Sequence, residues 1–195
     1  MLFVTGNANK LRETREILGA DSSSPFEIVN RKIDLAEIQG TTQDVSIEKC
    51  RRAAEIIGGP VITEDTALGF DALNGLPGPY IKWFLSEIGN EGLYKLLDGF
   101  PTRSAAALCT YAYSPGPSKD PNTPPEVFLF EGRTEGTIVL PRGLGRFGWD
   151  PIFEVKGSGK TYAEMTSEEK NVISHRSKAI GFLKTYLTGI YGSQS

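Results

Sequence analysis

Three carboxylates and one strand-to-helix turn are the residues whose types and spacing could do chemistry here. Glu37, Glu64 and Asp65 are oxygen donors of the kind Mg2+ takes, since that ion keeps several waters and bridges to substrate phosphates. Glu64-Asp65 follows Val61-Ile62-Thr63, a short apolar run that reads as a buried strand. Both carboxylates are therefore expected at a strand end, where α/β proteins commonly place active sites. Glu37 taken by itself reads sooner as a solvated surface acid. The turn is Thr5-Gly6-Asn7-Ala8-Asn9-Lys10, with a Gly and two Asn that tolerate positive φ ahead of a helix start. Backbone N–H groups in such a turn converge on an anion, and Lys10 adds a mobile positive charge. An ordinary strand-to-helix connection would use the same residue types.

Two other glycine-rich stretches imitate phosphate loops. Gly143-Leu144-Gly145-Arg146-Phe147-Gly148 spells G-x-G-x-x-G, yet Trp149-Asp150-Pro151 follows, and a proline there blocks the helix that should receive a pyrophosphate. Gly157-Ser158-Gly159-Lys160-Thr161 resembles the end of a Walker A loop, but Glu154 stands where its first glycine belongs. A carboxylate there would crowd the anion.

The elements that must position these groups follow from apolar periodicity. Leu2 to Thr5 reads as a strand and Lys10 to Leu18 as a helix stopped at Gly19. Phe26 to Asn30 is a further strand candidate. Val45 to Ile57 is a helix opened by a Thr41/Asp44 capping box. Val61 to Thr63 and Leu68 to Leu73 read as separate strands. After the loop Gly75-Leu76-Pro77-Gly78-Pro79, Tyr80 to Ile88 and Glu91 to Leu97 read as helices, the second capped by Asn90. Ala105 to Tyr113, Val127 to Arg133 and Gly136 to Leu140 are strand candidates, the first two joined by a proline-rich loop, Ser114 to Pro125. A Thr166/Glu169 capping box opens one long amphipathic C-terminal helix carrying Val172, Ile173, Ile180, Leu183, Leu187 and Ile190. No internal repeat is visible.

Composition narrows the class. The apolar fraction of 39% and charged fraction of 23% suit a globular protein, and no apolar run nears the roughly 18 residues of a membrane span. A net charge of -3 argues against a general nucleic-acid surface, so phosphate binding must come from a local cluster. Cys50, Cys109 and His175 are the only residues of their types, which excludes a structural Cys/His zinc site and a disulfide framework. Buried free thiols in a reducing, intracellular setting are expected. No export signal is read at the N-terminus.

Taken together and in order, Thr5-Gly6-Asn7, Glu64-Asp65-Thr66, Gly75-Leu76-Pro77-Gly78-Pro79-Tyr80, Phe147-Gly148-Trp149-Asp150-Pro151 and Ser174-His175-Arg176 resemble the inosine triphosphate pyrophosphatase family. Tyr80-Ile81-Lys82-Trp83-Phe84 looks like its eukaryotic branch, while the Ser114 to Pro125 loop is longer than that family leads one to expect. The resemblance implies an α/β fold: one domain over 1–195 with an elongated mixed sheet and flanking helices, forming two lobes around a nucleotide cleft. It implies hydrolysis of ITP, dITP and XTP to the monophosphate and pyrophosphate, with Mg2+ as cofactor and Mn2+ as the alternative. Glu37 and Asp65 would bind the metal, with Asp65 also the proton acceptor; Glu64 is a further candidate beside them. Residues Thr5, Gly6, Asn7, Ala8, Asn9 and Lys10 would hold the triphosphate. Lys49, Thr66, Lys82 and Lys170 would be further substrate contacts. Phe147, Gly148, Trp149, Asp150, His175 and Arg176 would form a purine pocket whose donors face a 6-oxo group. An adenine NH2 would meet donor with donor there. The resemblance also implies a homodimer in the cytoplasm, with the nuclear nucleotide pool in reach. Rival readings are a pyrophosphatase for modified pyrimidine nucleotides, a P-loop kinase built on Gly159-Lys160-Thr161, and a non-catalytic nucleotide sensor that would not need Glu37 and Asp65.

Overall fold

The computed structural model describes residues 1–18, 29–144 and 147–192. Among these, seven strands and five helices follow in order: β1 (Leu2–Val4), α1 (Ala8–Leu18), β2 (Val29–Arg31), α2 (Thr42–Ile57), β3 (Val61–Phe70), β4 (Pro77–Gly78), α3 (Ile81–Lys95), β5 (Ser104–Ser114), β6 (Phe128–Ile138), β7 (Phe153–Val155), α4 (Ser167–Ile173) and α5 (His175–Tyr191). The sheet runs β2-β1-β3-β5-β6-β7, with β4 paired to β3. Pairing is parallel for β1 with β2 and β3, and antiparallel for β3 with β4 and β6 with β7. This is the mixed-sheet α/β class expected. The Gly19 stop, residues 26–28 of the expected strand Phe26 to Asn30, and Gly145 and Arg146 of the G-x-G-x-x-G stretch lie outside the described residues.

The chain forms two compact units, Met1–Asp65 with Cys109–Gly132 and Ser177–Ser195, and Thr66–Leu108 with Arg133–Arg176. In the first, neighbouring strand residues go to opposite faces of the sheet, as a pleat requires. Phe3, Ile62 and Tyr111 join Leu18, Leu183 and Leu187 in one core, and Val4, Val61 and Ala112 join Cys50, Ala53 and Ala54 in another. The sheet is thus covered by α1 and α5 on one side and α2 on the other. The second unit packs Leu68, Phe70, Leu93, Ile138, Trp149, Phe153 and Tyr162 into its own core.

Several elements depart from the sequence reading. The two strands expected around Glu64-Asp65 are one ten-residue strand, β3, so these carboxylates sit in mid-strand and not at its end. A strand buried along both faces shows no period-two alternation, so its polar middle reads as a boundary. Likewise β6 is continuous where two strands were expected. Gly136 lies inside it because a Cβ there would come 2.5 Å from the Glu154 carbonyl oxygen and the Phe153 ring. The long C-terminal helix is two: Ser174 is extended (φ -70, ψ 154), and α5 starts at His175. The break at Gly89 (φ 63) does separate two helical pieces within α3. Asn90 does not cap the second: among the described residues its Oδ1, the atom a cap would use, accepts no hydrogen bond, and its Nδ2 donates to the Gly148 carbonyl at 3.1 Å. Both expected capping boxes, Thr41/Asp44 and Thr166/Glu169, are formed.

Candidate active site

In the first unit the site is assembled on β3. Glu64 and Asp65 are adjacent in an extended chain, so they point to opposite faces of the sheet and meet different helices. Glu64, its side chain fully buried, pairs 2.7 Å from Lys10 Nζ at the start of α1 and accepts from Cys109 Sγ at 3.2 Å. Asp65 Oδ1 lies 3.0 Å from Lys49 Nζ on α2, and the same ammonium lies 3.1 Å from Glu37 Oε1. Glu37 and Asp65 therefore converge on one cation position, and Glu64 faces elsewhere. Among the described residues no group of three or more His, Cys, Asp or Glu is gathered for a metal. Two carboxylates, completed by water and phosphate oxygens, are a donor set that a magnesium-type ion accepts.

Burial pushes the Asp65 pKa up, Lys49 and Lys10 pull it back in part, Glu64 adds to the rise, and the net direction is upward. For Lys49 burial acts downward, but the charges of Asp65 and Glu37 outweigh it and its pKa is raised. Lys10 is thus felt electrostatically at Asp65, which ties the turn to the carboxylates. Lys10 and Lys49 bring two formal positive charges to the three negative ones of Glu37, Glu64 and Asp65.

The turn itself works differently from the sequence reading. None of Gly6, Asn7 and Asn9 has positive φ. Asn7 is the helix cap, its Oδ1 accepting from the amides of Asn9 at 3.0 Å and Lys10 at 3.2 Å, and its own amide donates to Thr5 Oγ1 at 3.1 Å. Gly6 leaves room for Lys32: a Cβ there would meet its Cε at 3.3 Å, tight enough that the lysine stem would have to shift.

The second unit gathers Thr66, Phe147, Asp150, Lys170, His175 and Arg176 with Trp149. Lys170 and Asp150 form a buried ion pair at 2.6 Å. The Lys170 ammonium lies 5.0 Å from the centre of the half-buried Phe147 ring, and the Arg176 guanidinium carbon 5.6 Å from it. Arg176 Nη2 donates to Thr66 Oγ1 at 3.0 Å. His175 Nδ1 and Tyr162 Oη are 3.3 Å apart, and the His175 ring is 5.5 Å from that of Trp149. Trp149, only 5% exposed, meets Phe153 edge-on and belongs to the core. Gly148 is held through its carbonyl by Asn90. Lys82, on α3, is exposed, with its ammonium 5.4 Å from the Trp83 ring centre.

Sequence reasoning passed over Tyr162 and Lys32 and gave Asn90 only a capping role. Tyr162 looks like any core aromatic, and the other two act through contacts that cross the chain. The Walker-like stretch is a turn between the bridged residues Glu154 and Thr161, with Lys160 Nζ 2.7 Å from Glu169. It has no strand-loop-helix form, and the kinase reading loses its loop.

A model of the Ham1 family matches residues 1–186. The chain is 57% identical over 190 residues to a Mycosarcoma maydis protein named inosine triphosphate pyrophosphatase, covering 97% of this chain and 95% of that one. It is 58% identical over 185 residues to the Emericella nidulans protein of the same name, covering 95% and 94%. Among solved structures, a HAM1 protein from Coxiella burnetii superposes with a TM-score of 0.81 at 31% identity, over 96% of this chain and 98% of that one. The Staphylococcus aureus Ham1 protein gives 0.78 at 28% identity, over 97% and 99%. With motifs in register from Thr5 to Arg176 and likeness over nearly the full length in both sequence and fold, the chain belongs to the Ham1 family.

Proposed function

We propose that this chain hydrolyses the deaminated purine nucleotides ITP, dITP and XTP to the nucleoside monophosphate and pyrophosphate, clearing them from the nucleotide pool. The observation that carries the reading is the convergence of Glu37 and Asp65 on one cation position, with Lys10 of the strand-to-helix turn paired to the neighbouring Glu64. Relatives named inosine triphosphate pyrophosphatase, matched over nearly their whole length, support the substrate.

A triphosphate resists attack until its oxygens are neutralised and its leaving group aligned. The Thr5 to Lys10 turn and Lys49 supply positive ends and donors for those oxygens. Glu37 and Asp65 would hold a divalent ion, magnesium or in its place manganese, which when bound neutralises phosphate charge and orients the leaving group. Asp65, whose buried carboxyl binds a proton more tightly than an exposed one, takes the proton of the attacking water. A bond forms from that water oxygen to the α-phosphorus, the bridging bond to the β-phosphate breaks, and pyrophosphate leaves.

The second unit suits a 6-oxopurine. Phe147 offers an aromatic face, and the Arg176 and Lys170 cations beside it are donors only. Adenine would set its NH2 against them and leave buried polar groups unpaired. Guanine shares the 6-oxo group, so its exclusion involves the 2-position. Lys82 is a further substrate contact in this reading. The chain acts as a homodimeric single catalytic unit in the cytoplasm, with the nuclear pool in reach. Among the described residues no helix is long and apolar enough to cross a membrane.

The test is a rate comparison on ITP, XTP, ATP and GTP with magnesium present and then chelated, with products identified. IMP and pyrophosphate formed only with the ion are expected. Stepwise release of IDP and orthophosphate overturns the reading, as does tight ITP binding without turnover.

A further inference from the structure

Lys32 is a cation packed on the phosphate turn that no part of the proposed chemistry has used. It follows β2 directly, and the β1/β2 register pairs Val4 with Arg31, so Lys32 leaves the sheet where Thr5 begins the turn. The Thr5 amide donates to the Arg31 carbonyl at 3.3 Å and fixes that alignment. Along the turn, a Cβ on Gly6 would lie 3.3 Å from Lys32 Cε, 3.4 Å from Cγ and 3.5 Å from Cδ. Three side-chain carbons at this spacing mean the lysine stem lies across Gly6, with its ammonium one bond beyond the nearest of them.

Lys32 also differs electrically from the lysines already placed. Lys10 is paired with Glu64, and Lys49 with Glu37 and Asp65. Lys32 is exposed, and among the described residues it enters no ion pair. The five paired side chains sum to one net negative formal charge, which repels a polyphosphate. A cation on the turn without a carboxylate of its own offsets that charge and is available to an incoming anion without first breaking a bond. The absence of a side chain at Gly6 lets the stem lie close to the turn.

We propose that Lys32 is a polyphosphate-binding residue, its ammonium contacting the phosphate oxygens of the nucleotide over Gly6. This rests on the triphosphate reading of the same turn given above. It is tested with Lys32→Met and Lys32→Arg in two assays. In the first, binding of inorganic tripolyphosphate in magnesium buffer is measured by calorimetry, which needs neither a base nor turnover. In the second, KM and kcat are measured on ITP with products identified. Loss of one charge-assisted contact weakens tripolyphosphate binding and raises KM about tenfold in the Met variant, with kcat changing less. The Arg variant recovers most of the loss, and melting temperatures stay alike because the side chain is exposed. Unchanged tripolyphosphate affinity in Lys32→Met overturns the inference even if ITP is hydrolysed as expected. Weakened affinity in Lys32→Met, together with a wild-type chain that releases IDP and orthophosphate, upholds the contact and rejects only the pyrophosphatase reading.

Discussion

Glu64 and Asp65 stand side by side in β3 and turn their backs on each other, each closing an ion pair with a lysine from a different helix. The sheet between them separates two tasks. On one face Glu64 anchors Lys10 at the head of α1, and on the other Asp65 shares Lys49 with Glu37. The same dipeptide therefore braces the phosphate turn and furnishes the proposed proton acceptor.

Asp65→Asn removes that acceptor while keeping its shape. Turnover of ITP should fall about 100-fold or more, and the folded state should persist, as read by steady-state rates and thermal melting. A variant retaining a tenth of wild-type turnover would rule out acid-base work at this position.

The raised pKa of Asp65 also has a stability signature in the ion-free protein. The native state holds this proton more tightly than the unfolded chain, whose ordinary value is 3.8. Its contribution to stability is therefore present below that value and lost as pH rises through the raised native one. Between acid and neutral pH the Tm of Asp65→Asn should gain on wild type, measured without divalent ions. A difference that stays flat or moves the other way contradicts the assigned direction.

Glu64→Ala strands Lys10 and opens a hole beside Cys109. Removing one partner of a largely buried pair costs about 3 kcal/mol, read as a lower urea midpoint at unchanged slope. Glu64→Gln, which fills the space and still accepts a hydrogen bond, should cost less. If Glu64→Ala unfolds at the wild-type midpoint, the pair is not a structural brace.

Trp149 and Phe147 are two residues apart and should fail differently. Trp149 packs on Phe153 in the core, so Trp149→Ala costs about 3–5 kcal/mol of stability. Phe147 is half-buried, and Phe147→Ala should spare stability but raise KM for ITP about tenfold through lost stacking. Equal destabilisation of both would remove Phe147 as a base platform.

Cys50 is buried and its thiol pKa is pushed up to about 12 by that burial, a hydrogen bond with Thr63 opposing the rise. Cys109 is equally buried. Neither thiol should react with an alkylating reagent in the native state at pH 7 or 9, although thiolate in a free thiol grows over that range. Labelling should begin only on unfolding. Fast native labelling at pH 9 would show the burial to be wrong.

What the sequence carried and what it hid can be traced to particular residues. The Thr41/Asp44 and Thr166/Glu169 caps were legible because capping is local chemistry four residues long. The continuity of β3 was not, since a strand covered on both faces has no alternation and Glu64-Asp65 imitates its end. Apolar spacing runs on through Ser174, so the corner that starts α5 at His175 left no periodic trace. Asn7 was legible as a turn residue, but its role as a cap emptied part of the turn's donor set. Lys32 was hidden because lying across a glycine depends on strand register, which one lysine in a polar stretch cannot reveal.

The ammonium of Lys49 lies between Glu37 and Asp65, where the proposed ion would sit. Two acids that would repel each other in an ion-starved chain are thereby kept together by a charge the polypeptide brings with it. If a divalent ion is held here as proposed, it would displace that ammonium from a place the folded chain already provides, and its loading would need no new round of folding.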